Sequence, residues 1–295
     1  MRSSLIVLAL LASACSGQQP ADTPKGVQAV LPDAPDPTPH SRAYSLTESP
    51  DGQIRVFAQE QGDYTKMYEM RRADDGTWSD PVEMTFPTRA KLTEPGFSWS
   101  DGMLYYSSDI PLDGRETKSD ANIWRVMPTE TGWGEPELLS LTINTGASEL
   151  SPRMDEQGRL YFTSNHSRGV GGHDIYEAHW DEAAGDWQII DMPDGFNDAR
   201  ADAQLAITPD GDRMFFYSHR SPKLGVVDIW TAERDADGHW QMPVNLGEPV
   251  NTPGIDLGPG VSGDGQTLFF SREGRLMMIP MQEALAGIGS TNDTP

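Results

Sequence analysis

The sequence has little cysteine, little positive charge and few long apolar runs. Cys15 is the single cysteine among 295 residues, so no disulfide can form within the chain. Lysines and arginines number 22 against 45 aspartates and glutamates, which gives a formal net charge of -23. An acidic surface repels phosphate, which excludes nucleic acid as a partner and argues against electrostatic docking on an anionic membrane.

Several catalytic and cofactor motifs are also missing. Residues 164–178 (SNHSRGVGGHDIYEA) are rich in glycine, but a dinucleotide fingerprint would need glycine at Asp174 and a helix after it. The chain has no Gly-Lys-Ser/Thr phosphate loop, no zinc spacing among its six histidines and no GxSxG elbow. We therefore expect no metal and no cofactor, with a divalent cation such as calcium as the alternative.

The longest apolar stretch lies at the start of the chain. Residues 1–17 (MRSSLIVLALLASACSG) have one arginine, an apolar core and small residues before Cys15, an order that predicts a secretion signal over 1–14. The stretch resembles a bacterial lipoprotein signal, although that family prefers leucine where Ala12 stands. The resemblance implies a lipid on Cys15 and, with Ser16 after it, an outer-membrane anchor facing the periplasm. Secretion or display at the cell surface is the alternative.

The rest of the chain repeats with a period of about 53 residues. A turn ending in glycine precedes an alternating strand five times, in SPDG, WSDG, DEQG, TPDG and SGDG. The turn glycines are Gly52, Gly102, Gly158, Gly211 and Gly265. A further short strand follows each, and then, in four units, a strand predicted around Trp78, Trp133, Trp187 or Trp240.

Four short antiparallel strands per unit, repeated five times, predict an all-β, five-bladed β-propeller. The fifth unit ends without a tryptophan strand, so residues 27–31 are expected to supply the outer strand of the fifth blade and close the ring. We assign a flexible tether to 15–26, the propeller to 27–284 and a disordered tail to 285–295. A sixth, degenerate blade near the N-terminus is the alternative.

The repeats carry a family resemblance. The repeats are similar to the WD-like propeller repeats of TolB-type envelope proteins. The similarity lies in the order of four segments: SPDG, a strand LYFxS, DIY or DIW, and WxxPVNLG, where x is any residue. Residues 240–271 also resemble repeats found beside OmpA-type domains. The resemblance implies the propeller fold and an envelope location, but it says little about function because propellers host many activities.

Four carboxylates near the starts of the predicted first strands are candidates for catalysis. They are Glu94, Glu149, Asp202 and Asp256. The last three end an Asn-Thr/Asp-x-x-x-Glu/Asp pattern at 144–149, 197–202 and 251–256. First strands of a propeller line its channel, so such groups can bind a cation or act as acid and base. A repeated structural role, accepting backbone N–H groups between blades, is the favoured interpretation.

Polar residues on the connections between second and third strands are candidates for binding a ligand or partner. They are Asp109, Asp113, His166, Arg168, His173, His219 and Arg220. We expect a monomeric, lipid-anchored scaffold that binds another envelope protein without catalysis. The alternative is a five-bladed glycoside hydrolase or lyase, or a glycan-binding protein, that uses the channel carboxylates.

Overall fold

The computed structural model describes residues 26–34, 36, 38, 40–85, 91–110, 120–286 and 288. Cys15 and Asp113 lie outside the described residues, as do most of the expected tether and tail. Among the described residues, no helix combines the length and the apolar character needed to cross a membrane.

The described chain forms 22 strands and one short helix. In chain order they are β1 (Gln28–Ala29), β2 (Ala43–Glu48), β3 (Ile54–Gln61), β4 (Tyr64–Arg71), β5 (Val82–Glu83), β6 (Leu92–Phe97), β7 (Leu104–Ser108), β8 (Asn122–Val126), β9 (Pro128–Thr129), β10 (Gly132–Trp133), β11 (Glu137–Leu138), β12 (Glu149–Met154), β13 (Leu160–Ser164), β14 (Asp174–Asp181), β15 (Asp186–Asp191), β16 (Asp202–Ile207), β17 (Arg213–Ser218), β18 (Asp228–Glu233), β19 (Val244–Asn245), β20 (Asp256–Val261), β21 (Thr267–Arg272), β22 (Arg275–Pro280) and α1 (Met281–Leu285).

Five four-stranded antiparallel sheets confirm the five-bladed propeller. The sheets are β2-β3-β4-β5, β6-β7-β8-β11, β12-β13-β14-β15, β16-β17-β18-β19 and β20-β21-β22-β1, which we number blades 1 to 5. The first strands contact one another around the ring, and β2 of blade 1 contacts β20 of blade 5. The N-terminal segment closes blade 5 as expected, with Gln28 opposite Met278 and Ala29 opposite Met277.

The five turns that end in glycine, four of them Asp-Gly and one Gln-Gly, form the hairpins that join first and second strands. Their glycines have φ between 68° and 76°, a left-handed conformation that glycine adopts without steric cost. The fourth strands differ from the expectation. Trp187 lies within β15, but Trp78 and Trp240 precede β5 and β19 and form only isolated bridges with Arg72 and Arg234.

The tryptophans instead belong to the packing between blades. The Trp240 indole N–H donates to Glu177 of blade 3 at 3.0 Å, and the Trp133 indole N–H donates to Glu69 of blade 1 at 2.9 Å. The indole face of Trp240 also carries the Arg234 guanidinium at 4.3 Å. Each tryptophan thus joins its own blade to the preceding one.

The apolar core lies between blades rather than within them. One cluster combines Tyr105 and Ile123 of blade 2 with Leu160 and Phe162 of blade 3. Similar clusters lie in the other blade interfaces, including the one between blades 5 and 1. Since adjacent blades share each cluster, the ring is stabilised by the seams between blades.

Candidate functional site

A bulge in every first strand shapes the central channel. The pairing register shifts after the second residue of each first strand. The third residue has a positive φ of 47–62° in all five blades. These channel residues are Ser45, Glu94, Ser151, Gln204 and Gly258. A non-glycine residue rarely adopts this conformation, so the strained backbone is a repeated feature of the channel.

Glu94 is the carboxylate at the centre of these channel residues. It accepts hydrogen bonds from the Ser151 hydroxyl of blade 3 and, at 3.5 Å, from the Gln204 amide of blade 4. Blades 2 and 4 are not neighbours, so their side chains meet across the channel axis. Glu94 is 8% exposed, and burial raises the pKa of its carboxyl against the opposing effects of Ser151 and Arg153.

Arg153 supplies positive charge beside this carboxylate. It is 4% exposed, and its guanidinium donates to the backbone carbonyls of Pro152 at 2.7 Å and Glu94 at 3.3 Å. Burial lowers its pKa to about 10. The Gly96 Cα lies so close that a Cβ added there would stand 2.4 Å from the guanidinium, which explains glycine at that position.

Asp202 and Asp256 open the first strands of blades 4 and 5, and both are fully buried. Each accepts the backbone N–H four residues earlier, at 2.5 and 2.7 Å, respectively. Each also pairs with an arginine of its own blade, Arg220 at 2.7 Å and Arg272 at 2.8 Å. Burial raises the Asp202 pKa, although the nearby Arg220 charge opposes the rise. These carboxylates fix the last residues of the linker that precedes the first strand of each blade.

Glu149 has the corresponding place in blade 3 and is fully buried. Its carboxylate accepts the Thr145 N–H at 3.0 Å, the Thr145 hydroxyl at 2.6 Å and the Ser164 hydroxyl at 3.0 Å. Burial raises its pKa. Blade 2 has Leu92 at the start of its first strand, so Glu94 is a channel residue and does not belong to this strand-opening set.

The asparagines of the 144–149, 197–202 and 251–256 pattern are bound to the preceding blade. The Asn251 side chain accepts the Ile229 N–H at 2.8 Å and donates to the Ile229 carbonyl at 2.9 Å. Asn144 and Asn197 bind the backbones of Ile123 and Ile175 in the same way. We call Asn144, Asn197 and Asn251 the inter-blade asparagines.

His166, Arg168 and His173 lie on the connection between β13 and β14, as the sequence predicts for this loop. His166 Nδ1 accepts the Arg168 N–H at 3.2 Å, and the Arg168 guanidinium lies 5.1 Å from the Tyr176 ring. His166, Arg168 and Glu149 line a cavity of about 300 Å³ between blades 2 and 3. The backbone of His173 bonds instead to β16, through the Asp202 N–H at 2.9 Å.

The remaining candidate residues are held by local bonds. Asp109 accepts the Lys91 N–H at 2.6 Å. The His219 carbonyl accepts from Arg200, and its ring meets Tyr217 edge-on at 5.9 Å. Arg220 donates to the Phe196 carbonyl at 2.6 Å as well as to Asp202, which gives it a structural role between blades.

The sequence does not indicate two further features of the structure. A cavity of about 170 Å³ at the channel mouth is lined by Tyr44, Glu60, Gln204 and Glu273, among others. Asp235, Asp237 and His239 are exposed and bring three metal-ligand atoms within 4.8 Å of one another. Asp235 already accepts the backbone N–H groups of Asp237 and His239 at 3.0 and 2.9 Å, as in an ordinary polar turn.

No known family model matches the sequence, and no curated protein sequence matches it. Comparison with solved structures does find similar folds. A putative glycoside hydrolase from Bacteroides ovatus has a TM-score of 0.52 and 10% identity over 90% of this chain and 98% of that chain. At this identity the likeness concerns the fold alone.

Two further structures illustrate the breadth of the similar folds. TolB from Acinetobacter baumannii has a TM-score of 0.47 and 15% identity over 82% of this chain. The match spans about half the length of that protein, 55%. An alpha-L-arabinofuranosidase from Lactobacillus brevis has a TM-score of 0.49 and 13% identity over 80% of this chain and 88% of that chain.

Proposed function

We propose that this chain is a non-catalytic β-propeller of the bacterial cell envelope, held at the outer membrane by a lipid on Cys15, that binds another envelope protein. The observation that carries the proposal is the occupation of the strand-opening carboxylates. Glu149, Asp202 and Asp256 are fully buried, and backbone N–H groups, hydroxyls and arginines occupy their oxygens.

A glycoside hydrolase needs two carboxyl groups on either side of a scissile bond, with room for sugar and water. The described hydrogen bonds instead tie three candidates to the backbone between blades. Glu94, the fourth, accepts from Ser151 and Gln204 across the channel and is 8% exposed. This arrangement supports a structural role for the carboxylates. It therefore favours protein binding over catalysis as the function of the propeller.

One face of the ring offers a surface for a partner. The connections between second and third strands and the linkers between blades lie on this face, which we call the loop face. It exposes Leu141, Val170, Leu224 and Val226 by 61, 67, 38 and 56%, respectively. Apolar side chains at loop tips gain free energy when a partner covers them. Arg168, beside Val170, and Arg200, on the linker between blades 3 and 4, add positive charge on the same face.

Site-specific photo-crosslinking in intact cells tests the proposal. A photoreactive residue at Val170 or Val226 should give a discrete crosslinked product with one envelope protein. The same residue at Asp210, an exposed turn on the opposite face of blade 4, is the matched control and should give none. Because Cys15 is the proposed anchor, Cys15→Ser should abolish incorporation of labelled palmitate.

Two outcomes would overturn the proposal. The first is the lack of any product from both loop-face positions in cells that retain the anchored protein. The second is cleavage of an envelope polysaccharide by the purified protein that Glu94→Gln abolishes while the fold stays intact. The second result would favour the glycoside hydrolase or lyase.

A further inference from the structure

The seam between blades 5 and 1, which we call the closing seam, differs from the other described seams. In blades 2 and 4 the residue after the fourth strand donates its N–H to the third strand, from Leu139 to Ile123 at 3.0 Å and from Leu246 to Ile229 at 3.2 Å. Val30 repeats this bond in blade 5, to the Leu276 carbonyl at 2.9 Å. The chain therefore runs from the fourth strand into the following linker at the same position in blades 2, 4 and 5.

A tight turn follows the fourth strand and places one side chain between blades. The Ile143 N–H bonds to the Ser140 carbonyl at 3.1 Å, and the Phe196 N–H bonds to the Pro193 carbonyl at 2.9 Å. Ile143 and Phe196 are fully buried, as is Val250 before Asn251. We call Ile143, Phe196 and Val250 the seam residues, and each directly precedes an inter-blade asparagine.

The closing seam makes the same turn with a small side chain. The Ala34 N–H bonds to the Leu31 carbonyl at 3.2 Å, the same three-residue spacing as in the other turns. Ala34 thus has the position of Ile143, Phe196 and Val250, and residue 35 after it is proline where the others have asparagine. Alanine cannot fill the space that an aromatic or branched side chain fills elsewhere.

The unfilled space is a cavity of about 490 Å³. At the seam between blades 3 and 4, the Phe196 ring lies 5.8 Å from the Phe216 ring. The equivalent of Phe216 is Phe57, which pairs with Tyr68 as Phe216 pairs with Trp230. Phe57 and Tyr68 stack at 5.6 Å and line the cavity together with Leu31, Ala34, Pro81 and Leu276. Pockets of this size and apolar character hold ligands in many proteins.

The charge at the rim of the cavity is mainly negative. Asp33 and Asp80 line the cavity and are exposed. Arg275, the one cation among the described lining residues, pairs with Asp36 and donates to the Ala34 carbonyl at 3.4 Å. Two further carboxylates therefore face the opening of an apolar cavity, on a chain whose net charge is -23. This combination is complementary to an apolar group flanked by positive charge.

We propose that the closing seam is a binding site for one bulky apolar side chain, presented by a basic peptide segment of the partner protein. The side chain would occupy the space that Phe196 occupies between blades 3 and 4, and lysines or arginines beside it would pair with Asp33 and Asp80. The inference deepens the proposed protein-binding function and rests on it.

Peptide binding to the purified, full-length propeller tests the site. The probe is a fluorescently labelled Lys-Lys-Gly-Phe-Gly-Lys-Lys peptide, and its matched controls carry alanine for phenylalanine or glutamate for lysine. Burial of a phenyl ring favours the first peptide over its alanine counterpart by about tenfold or more in affinity. The glutamate peptide should bind more weakly still, and added salt should weaken binding of the lysine peptide.

Substitutions then locate the site. Ala34→Phe should fill the cavity, raise the Tm and reduce affinity for the phenylalanine peptide by about tenfold or more. Ala183→Phe, at an exposed turn of blade 3, is the matched control and should leave binding unchanged. The Asp33→Asn, Asp80→Asn double variant should keep the preference for phenylalanine over alanine and lose most of the salt dependence.

Equal binding of the phenylalanine and alanine peptides to the wild-type chain would overturn the inference, and that comparison requires no variant to fold. Binding to Ala34→Phe as tight as to the wild type would also overturn it. If the peptide fails while Val170 still crosslinks to one envelope protein, the protein-binding function stands and the closing seam has no part in it.

Discussion

The seam between blades 3 and 4 contains a phenylalanine where the closing seam contains an alanine. Phe196 is fully buried against Phe216 and Trp240, at ring separations of 5.8 and 6.1 Å, and Asn197 then binds the backbone of blade 3. At the closing seam, Ala34 leaves a cavity of about 490 Å³. Backbone pairing of β1 with β22 completes blade 5, although the side-chain packing at the closing seam is incomplete.

This difference shows that a propeller can separate ring closure from core packing. Pairing of Gln28 and Ala29 with blade 5 and the Val30 bond to Leu276 satisfy the edge of β22. Those backbone bonds do not depend on the seam residue, so the side chain there is free to be small. Interior packing is normally as dense as an organic crystal. The cavity at the closing seam, of about 490 Å³, exceeds the cavity of about 300 Å³ between blades 2 and 3, so the closing seam has the more room for a ligand.

Of the substitutions that compare the two seams, shortening Phe196 should change the free energy of unfolding most. Phe196→Ala would give the seam between blades 3 and 4 the side chain of the closing seam and should lower the free energy of unfolding by about 3–5 kcal/mol. Urea unfolding followed by tryptophan fluorescence measures the loss. Phe196→Leu is the control and should cost clearly less. Equal losses for the two variants would show that the ring does not fill a packed seam.

Removing an inter-blade asparagine should have the next largest effect. Asn251→Ala would leave the Ile229 N–H without its 2.8 Å acceptor in a fully buried place, and an unsatisfied buried group costs about 1–3 kcal/mol. Hydrogen exchange at the Ile229 amide should accelerate along with the loss in urea stability. Gln266→Ala removes an exposed side-chain amide and should change stability by no more than about 0.5 kcal/mol. Similar effects of both substitutions would contradict the assigned role.

The sequence predicted the repeat well and the seams poorly. Five turns ending in glycine and the missing last strand were sufficient to predict five blades and closure by residues 27–31. The pattern at 251–256 was visible, but its asparagine binds Ile229, 22 residues earlier, and only the folded ring brings the two together. Ala34 was equally hidden, because the closing linker has a different length and no asparagine marks its turn.

The channel residues carried even less signal. Ser45, Glu94, Ser151, Gln204 and Gly258 share a left-handed backbone but no side-chain chemistry. Gly258 is the one residue of the five whose type favours a left-handed backbone. The structure also requires glycine there, because a Cβ would stand 2.9 Å from the Ser45 nitrogen. The bulge arises from the pairing of first and second strands in every blade, which local residue preferences do not encode.

The stability of the protein should depend on pH through the buried carboxyls of blades 2 to 4. Blade 1, at the closing seam, has Ala43 where blades 3 and 4 have Glu149 and Asp202. Burial raises the pKa of both carboxyls and of Glu94, so the native state binds more protons than the unfolded state. The contribution of these three groups to the free energy of unfolding should therefore be full below the ordinary carboxyl pKa values, about 4, and be lost as pH rises through the raised values. Each unit of difference is worth about 1.4 kcal/mol.

Urea unfolding at mildly acidic and neutral pH measures this slope. Glu177 and Asp186 have lowered pKa values, so their contribution is lost only in stronger acid and does not affect this range. Glu149→Gln removes one titrating group and should flatten the slope without reversing it. A stability that rises steadily from acidic to neutral pH would contradict the assignment of these carboxyls as buried.

Enlarging Ala34 should have the smallest effect and the opposite sign. Ala34→Ile would give the closing seam a side chain like that of Ile143, and filling a cavity commonly adds about 0.5–2 kcal/mol to stability. The gain is smaller than the loss from Phe196→Ala, since a natural cavity is lined by side chains that have relaxed around it. Combining Ala34→Ile with Phe196→Ala should give the sum of the two effects, because the seams lie in different parts of the ring. A loss of stability in Ala34→Ile would show that the closing seam is already filled, and would remove the basis for a binding site there.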